Sequence, residues 1–212
     1  MTDVHTHLPG NDSLVIEFLA NRDFFGTHPW DASMYDEGLL VSQLEANPKA
    51  FVGEIGLDRL KSKDITQESR QVFISQLEVA SQLKRPVVLH GAKCWGEVVK
   101  TIQGVFSLAS MPPSFLFHGF SRSDGLINDI AKLNGFISVG PQILNDHAVN
   151  YRKMICKVPL SMLLFETDRT ANSPDDLPTI NQILAKTAQL RSVNIEELER
   201  ITDSNAKRFA QI

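Results

Sequence analysis

The feature that most constrains this chain is a rhythm: short segments that are apolar throughout, each followed by a longer amphipathic one. Pro86-Val87-Val88-Leu89-His90 is such a segment, and Phe115-Leu116-Phe117-His118 repeats it. Between them and before them run helical periodicities, clearest over 67–84, where Val72, Phe73, Leu77, Ala80 and Leu83 share one face. Strands without polar alternation are buried on both sides, which requires parallel sheet covered by helices. Further strands are expected at 14–19, from Phe24 to a His28-Pro29 turn, over Ala50–Asp58, at 136–140 and over Met162–Asp168. Helices are expected at 36–47, 95–107, 123–133, 146–156, 177–191 and 195–209. With the opening stretch this makes eight βα units in 212 residues, a compact (β/α)₈ TIM barrel. A doubly wound open sheet is disfavoured, because it would gather polar residues at one crevice. Here they stand at the ends of many strands. No linker or low-complexity tract interrupts 1–212, so one domain is expected.

The chain opens with Asp3-Val4-His5-Thr6-His7. Residues i and i+2 of a strand point to one side, so a strand through Val4 aims both imidazoles the same way, as two ligands of one metal ion need. Glu54, His90, His118 and Asp168 also fall at or just past the C-terminal end of an expected strand. A closed barrel brings those ends to one face. The six residues offer neutral nitrogens for two divalent ions (Mg, Mn or Zn) and carboxylates to offset their charge, with Glu54 able to bridge. Two ions a few ångströms apart suit hydrolysis at a phosphoryl centre. Each residue has a plainer reading alone: a hydrogen-bonded structural histidine, a strand-end charge, or a helix cap for Asp168. Their joint placement favours the metal site.

These segments resemble the TatD-like metal-dependent hydrolases, a branch of the amidohydrolase-type barrels. The matching pieces are Asp3–His7, Gly26-Thr27-His28-Pro29-Trp30, Gly53-Glu54-Ile55-Gly56-Leu57-Asp58, Pro86–His90, Phe117-His118-Gly119-Phe120-Ser121 and Leu164-Phe165-Glu166-Thr167-Asp168. A closing stretch from Ile201-Thr202 through Asn205-Ala206 to Phe209 is similar to the family's last helix. The resemblance implies a divalent-metal hydrolase, with deoxyribonucleases among its members. It implies that His5 and His7 hold one ion, that His90 and His118 hold the second, and that Glu54 bridges. Asp168 would ligate the first ion and take the proton from the attacking water, a role general acid–base chemistry allows. Against the family pattern, the stretch between His7 and His28 is short, implying a βα unit near the N-terminus that has lost its helix. Arg59-Leu60, Arg169-Thr170-Ala171-Asn172 and Gly91 replace the residues usual at those places.

Four cations follow the candidate ligands: Arg59, Lys93, Arg122 and Arg169. Net charge is −4, so cations near the metals point to a local anionic substrate, DNA or a nucleotide, rather than to broad wrapping of nucleic acid. His28 is expected to line the pocket, Glu166 to orient a ligand, and Trp30, Trp95 and Phe120 to lie on the loops where a base could stack. The alternative is that the cations neutralise nearby acids and the aromatics pack against loops. Cys94 and Cys156 form no zinc-knuckle spacing and read as free thiols of a reducing compartment. No signal-like or membrane-spanning run is seen, so the expectation is a cytoplasmic protein that does not engage a membrane and shows no obligate protein partner. Two other functions remain: the same barrel cleaving another ester, lactone or amide, and a metal-stabilised binding protein without turnover.

Overall fold

In the computed structural model, residues 1–10, 12–61, 63–106, 110–121 and 124–212 are described. Eight strands run β1 Thr2–Thr6, β2 Ile16–Leu19, β3 Phe24–Phe25, β4 Phe51–Asp58, β5 Val87–Ala92, β6 Phe115–Phe117, β7 Gly135–Val139 and β8 Leu163–Phe165. The helices are α1 Glu37–Ala46, α2 Gln67–Gln82, α3 Trp95–Val105, α4 Ile127–Lys132, α5 Val149–Lys157, α6 Ile180–Arg191 and α7 Ile195–Ala210. Their starts follow from local chemistry. The side chains of Asp36, Thr66 and Asn194 accept the first free N–H groups of α1, α2 and α7. Thr179 and Gln182 cap α6 reciprocally.

All strand pairs are parallel and neighbours in sequence: β1 with β2, then β3 through β8 in order. Two seams join these sheets. A bridge between Ala20 and Phe24 links β2 to β3. At the other seam Asp168 N–H donates to the His5 carbonyl at 3.0 Å, and His7 N–H to the Arg169 carbonyl at 2.9 Å. The buried Asp3 carboxylate adds to it, accepting from Thr167 N–H at 3.1 Å and the Thr167 hydroxyl at 2.6 Å. Burial pushes Asp3 up to about 7, against the pull of these donors.

The interior shows why the strands surround one axis. Val4, Phe18, Phe24, Phe51, Val88, Leu116, Phe136 and Leu164, one from each strand, meet in a single apolar cluster. Phe209 of α7 closes its lower end, with its ring 5.1 Å from Phe51 and 6.1 Å from Phe136. A larger apolar layer lies outside, between strands and helices. This is a (β/α)₈ barrel filled by side chains. The shortened N-terminal part spans two connections: among the described residues neither the β1–β2 link nor the turn from Ala20 to Asp23 contains a helix. No helix among the described residues is long and apolar enough to cross a membrane.

Candidate metal centre

Strand parity builds the site directly on the apolar interior. His90, His118 and Glu166 stand two residues beyond Val88, Leu116 and Leu164, so each side chain is one layer above an inward-facing apolar residue. Gly56 lets β4 and β5 close up beside them. Its φ is +150°, and a Cβ there would lie 1.9 Å from the His90 carbonyl oxygen.

The two oxygens of Glu54 divide the histidines. Oε2 lies 3.5 Å from His5 Nε2 and 3.7 Å from His7 Nε2. Asp168 Oδ1 is 3.6 Å from each of the same nitrogens. Oε1 lies 2.8 Å from His90 Nδ1, 3.0 Å from His118 Nε2 and 4.0 Å from His28 Nε2. The ligand-type atoms form three groups: His5, His7 and Asp168; His5, Glu54 and His118; His28, Glu54 and His90. His118 thus sits against His5, ring centroids 3.9 Å apart, while His28 joins His90 at 4.5 Å.

His5 tests whether this set suits an ion. It is fully buried, yet neither ring nitrogen has a hydrogen-bond partner, a costly state for a polar group with no further purpose. The separations of 3.5 and 3.6 Å from its Nε2 are too long for hydrogen bonds. Donors about 2.1 Å from a common centre in a tetrahedral arrangement lie roughly 3.5 Å from one another. The residues fit a divalent ion.

Second partners fix the rings. Glu166 accepts from Gly119 N–H through Oε1 at 2.8 Å, and its Oε2 lies 3.3 Å from His118 Nδ1. His90 Nε2 lies 2.8 Å from Asp58 Oδ2. Asp58 was not singled out in the sequence, although it ends the same strand that carries Glu54. It also accepts the N–H groups of Leu60 and Lys61 through Oδ1. Burial would raise its pKa, and these bonds together with His90 and the nearby Trp30 lower it.

The charge balance follows from these contacts. Burial alone would raise Glu54, but the surrounding histidines, His118 foremost, hold it well below the usual carboxylate range. Burial likewise opposes the charged form of His118, and the Glu54 and Glu166 carboxylates override it and raise its pKa. Burial works to raise Asp168, and its contact with His5 together with the charges of His118 and His5 lowers it. Burial pushes His28 down to about 4 and lowers His7 as well.

A cavity of about 790 Å³ opens over this cluster, lined by His7, His28, Trp30, Met34, Glu54, His90, His118 and Asp168 among others. Of the expected cations, Arg59, Lys93 and Arg169 do not line it. Arg59 pairs with Glu97 at 2.5 Å, and Lys93 is exposed on its turn. Arg169 faces Glu17 at 3.8 Å in a neighbouring cavity of about 670 Å³, and Thr170 lines both. Arg122 lies outside the described residues. Of the expected stacking aromatics, Trp95 and Phe120 are buried against each other and Phe117. Trp95 also explains Gly91, where a Cβ would meet its ring at 2.3 Å. Cys94 is buried and its thiol is pushed up to about 11, so it is unreactive; Cys156 is exposed.

Fold and site together define a (β/α)₈ barrel carrying a candidate histidine–carboxylate metal centre at the C-terminal ends of its strands. A family model described as "TatD related DNase" matches residues 17–211, and this chain belongs to that family. His5 and His7 precede the matched span. The uncharacterized metal-dependent hydrolase YabD of Bacillus subtilis is 26% identical, over 93% of this chain and 82% of that protein. The 3'-5' ssDNA/RNA exonuclease TatD of Dickeya dadantii is 26% identical, over 87% of this chain and 74% of its own length. Among solved structures, YjjV, a TatD homolog from Escherichia coli K12, superposes with a TM-score of 0.78 at 24% identity. That match covers 95% of this chain and 79% of the other and bears on the fold alone.

Proposed function

We propose that residues 1–212 form one catalytic domain that hydrolyses phosphodiester bonds of single-stranded DNA or a nucleotide with two divalent ions. The observation that carries this is Glu54, whose Oε2 faces the buried, unpartnered His5 while its Oε1 faces His90 and His118. His5, His7 and Asp168 would hold one ion, His90 and His118 the other, with His28 close to the second set and Glu54 bridging. Magnesium, manganese or zinc suits such mixed ligands. When bound, such ions supply Lewis acidity towards a phosphoryl oxygen and lower the pKa of water.

The residues of the chain supply the rest. Asp168 is held ionised and reaches the cavity, so its carboxylate accepts the proton of the attacking water. Glu166 fixes the ring of His118, and Asp58 that of His90, so both present a set nitrogen to Glu54. His28 is kept neutral by burial and lines the substrate cavity without adding charge. The names of the Dickeya and Bacillus relatives support a metal-dependent hydrolase and a nucleic-acid substrate.

The test is cleavage of a labelled single-stranded oligonucleotide by metal-stripped protein resupplied with magnesium, manganese or zinc. Asp168→Asn is expected to lower kcat by about 10²-fold or more while metal still binds, and Glu54→Gln to lose both metal and activity. A second reading has its own support, since Arg59 and Arg169 are turned towards Glu97 and Glu17. Under it the same centre cleaves another ester, lactone or amide. Turnover of such a substrate, with oligonucleotides left intact, would replace DNA as the substrate.

A further inference from the structure

Among the described residues no lysine or arginine lines the cavity, so a polynucleotide needs another hold there. Trp30 answers this. It is, among the described residues, the large aromatic left open at the site: about half its surface is exposed, while Trp95, at the start of α3, is buried. It shares the cavity wall with Glu54 and Asp168. Its ring is not free to swing. The ring stands edge-on to His28 at 4.7 Å, the backbone N–H of Trp30 donates to His28 Nδ1 at 3.2 Å, and Pro29 begins the short helical turn that carries it. A rigid aromatic at the mouth offers contact area at low entropic cost. Lys61 adds the charge, with its Nζ 5.0 Å from the Trp30 ring centroid.

We infer that Trp30 and Lys61 form a nucleotide-binding subsite: an unpaired base stacks on the indole, and the ammonium takes the phosphate beside it. Magnitudes decide whether Lys61 would block the ring. A cation–π contact at an exposed site is worth about two- to fivefold in an equilibrium. A base stacked on an aromatic is worth roughly five- to hundredfold. The base wins the ring face, and the flexible lysine keeps its charge within reach of the backbone. Asp58 ties this subsite to the candidate metal centre, because the same carboxylate accepts the Lys61 backbone N–H and holds His90. The subsite would select single-stranded over duplex substrate, since a paired base cannot leave its stack for the indole without cost.

The inference rests on the phosphodiesterase reading for its role in turnover, and its test separates the two. The chain has two tryptophans, Trp30 and the buried Trp95, so fluorescence reports on the subsite without any cleavage. A single-stranded oligonucleotide is titrated into wild-type protein and into Trp30→Phe, alongside the same oligonucleotide with abasic sites. Quenching is expected for wild type with the intact strand, and is expected to fall away in Trp30→Phe and with the abasic strand. In steady-state kinetics with metal present, Trp30→Ala should lower the ratio of kcat/KM for intact over abasic strand about tenfold, and Lys61→Ala should raise KM for both. Equal quenching in Trp30→Phe, or an unchanged ratio in Trp30→Ala, overturns the subsite even if DNA is cleaved. Trp30-dependent quenching without cleavage keeps the subsite and removes the nuclease.

Discussion

Replacing His5 by leucine should stabilise the protein without metal and destabilise it, relative to wild type, with metal. In the stripped protein both His5 nitrogens are buried and unpartnered. Each such group costs about 1–3 kcal/mol. Leucine removes both and keeps apolar contact with Phe24, against which the His5 ring stacks at 5.1 Å. Allowing about 1 kcal/mol for the lost ring contacts, the stripped variant should gain roughly 1–5 kcal/mol. In a chain of this size that raises Tm by about 2–4 °C per kcal/mol. Metal at a hundred times its Kd stabilises wild type by about 2.7 kcal/mol through linkage. The variant lacks a shared donor of two of the three ligand groups and should gain much less. The linkage gain grows by about 1.4 kcal/mol per tenfold rise in metal, so the Tm gap narrows and then inverts as metal is raised from chelator to saturation, as differential scanning calorimetry can read directly. An equal metal-induced rise in both proteins would refute His5 as a ligand. A stripped variant several kcal/mol less stable than wild type would show that His5 is held by packing that the unpartnered nitrogens do not reveal.

Three further outcomes follow from single contacts. Glu166→Gln removes the carboxylate charge that orients His118 and should weaken metal binding about 10- to 100-fold in a calorimetric titration; unchanged affinity would take Glu166 out of the site. His28 has its folded pKa lowered to about 4 from 6.5, so the unfolded chain takes up its proton first. Its contribution is whole above about pH 6.5 and is lost as pH falls towards 4, roughly 1–3 kcal/mol after discounting its partial exposure. Urea denaturation of stripped wild type should show this fall, and His28→Asn should flatten it; parallel curves would contradict the assignment. Asn205 is buried in α7 and donates to the Leu160 carbonyl at 2.7 Å and the Leu163 carbonyl at 2.9 Å. Asn205→Ala should cost about 2–4 kcal/mol in urea midpoint analysis, with kcat unchanged at temperatures where the variant stays folded.

The parts legible in the sequence and the parts hidden from it differ in what sets a side chain's direction. Strand parity is a backbone property, so Val88 pointing inward settles His90, and Leu116 settles His118, before any tertiary contact is known. That is why the donor set converges as the order of segments implied. Loop residues have no such rule. Distance from a ligand in sequence places Arg59, Lys93 and Arg169 on the correct face of the barrel, but not their direction. Lys93 and Asp168 both turn the chain through positive φ, 56° and 49°. After such a turn the next side chain can leave the site, as Arg169 does towards Glu17. Asp58 was hidden for another reason. It reads as the end of a strand, and its value lies in joining His90 to Lys61, which covers the Trp30 ring, residues spread over 60 positions of the chain but adjacent around the strand ends. A barrel encodes its metal ligands in strands, where a two-residue period can be read, and its substrate contacts in loops, where only the folded path shows which side chain faces the cavity.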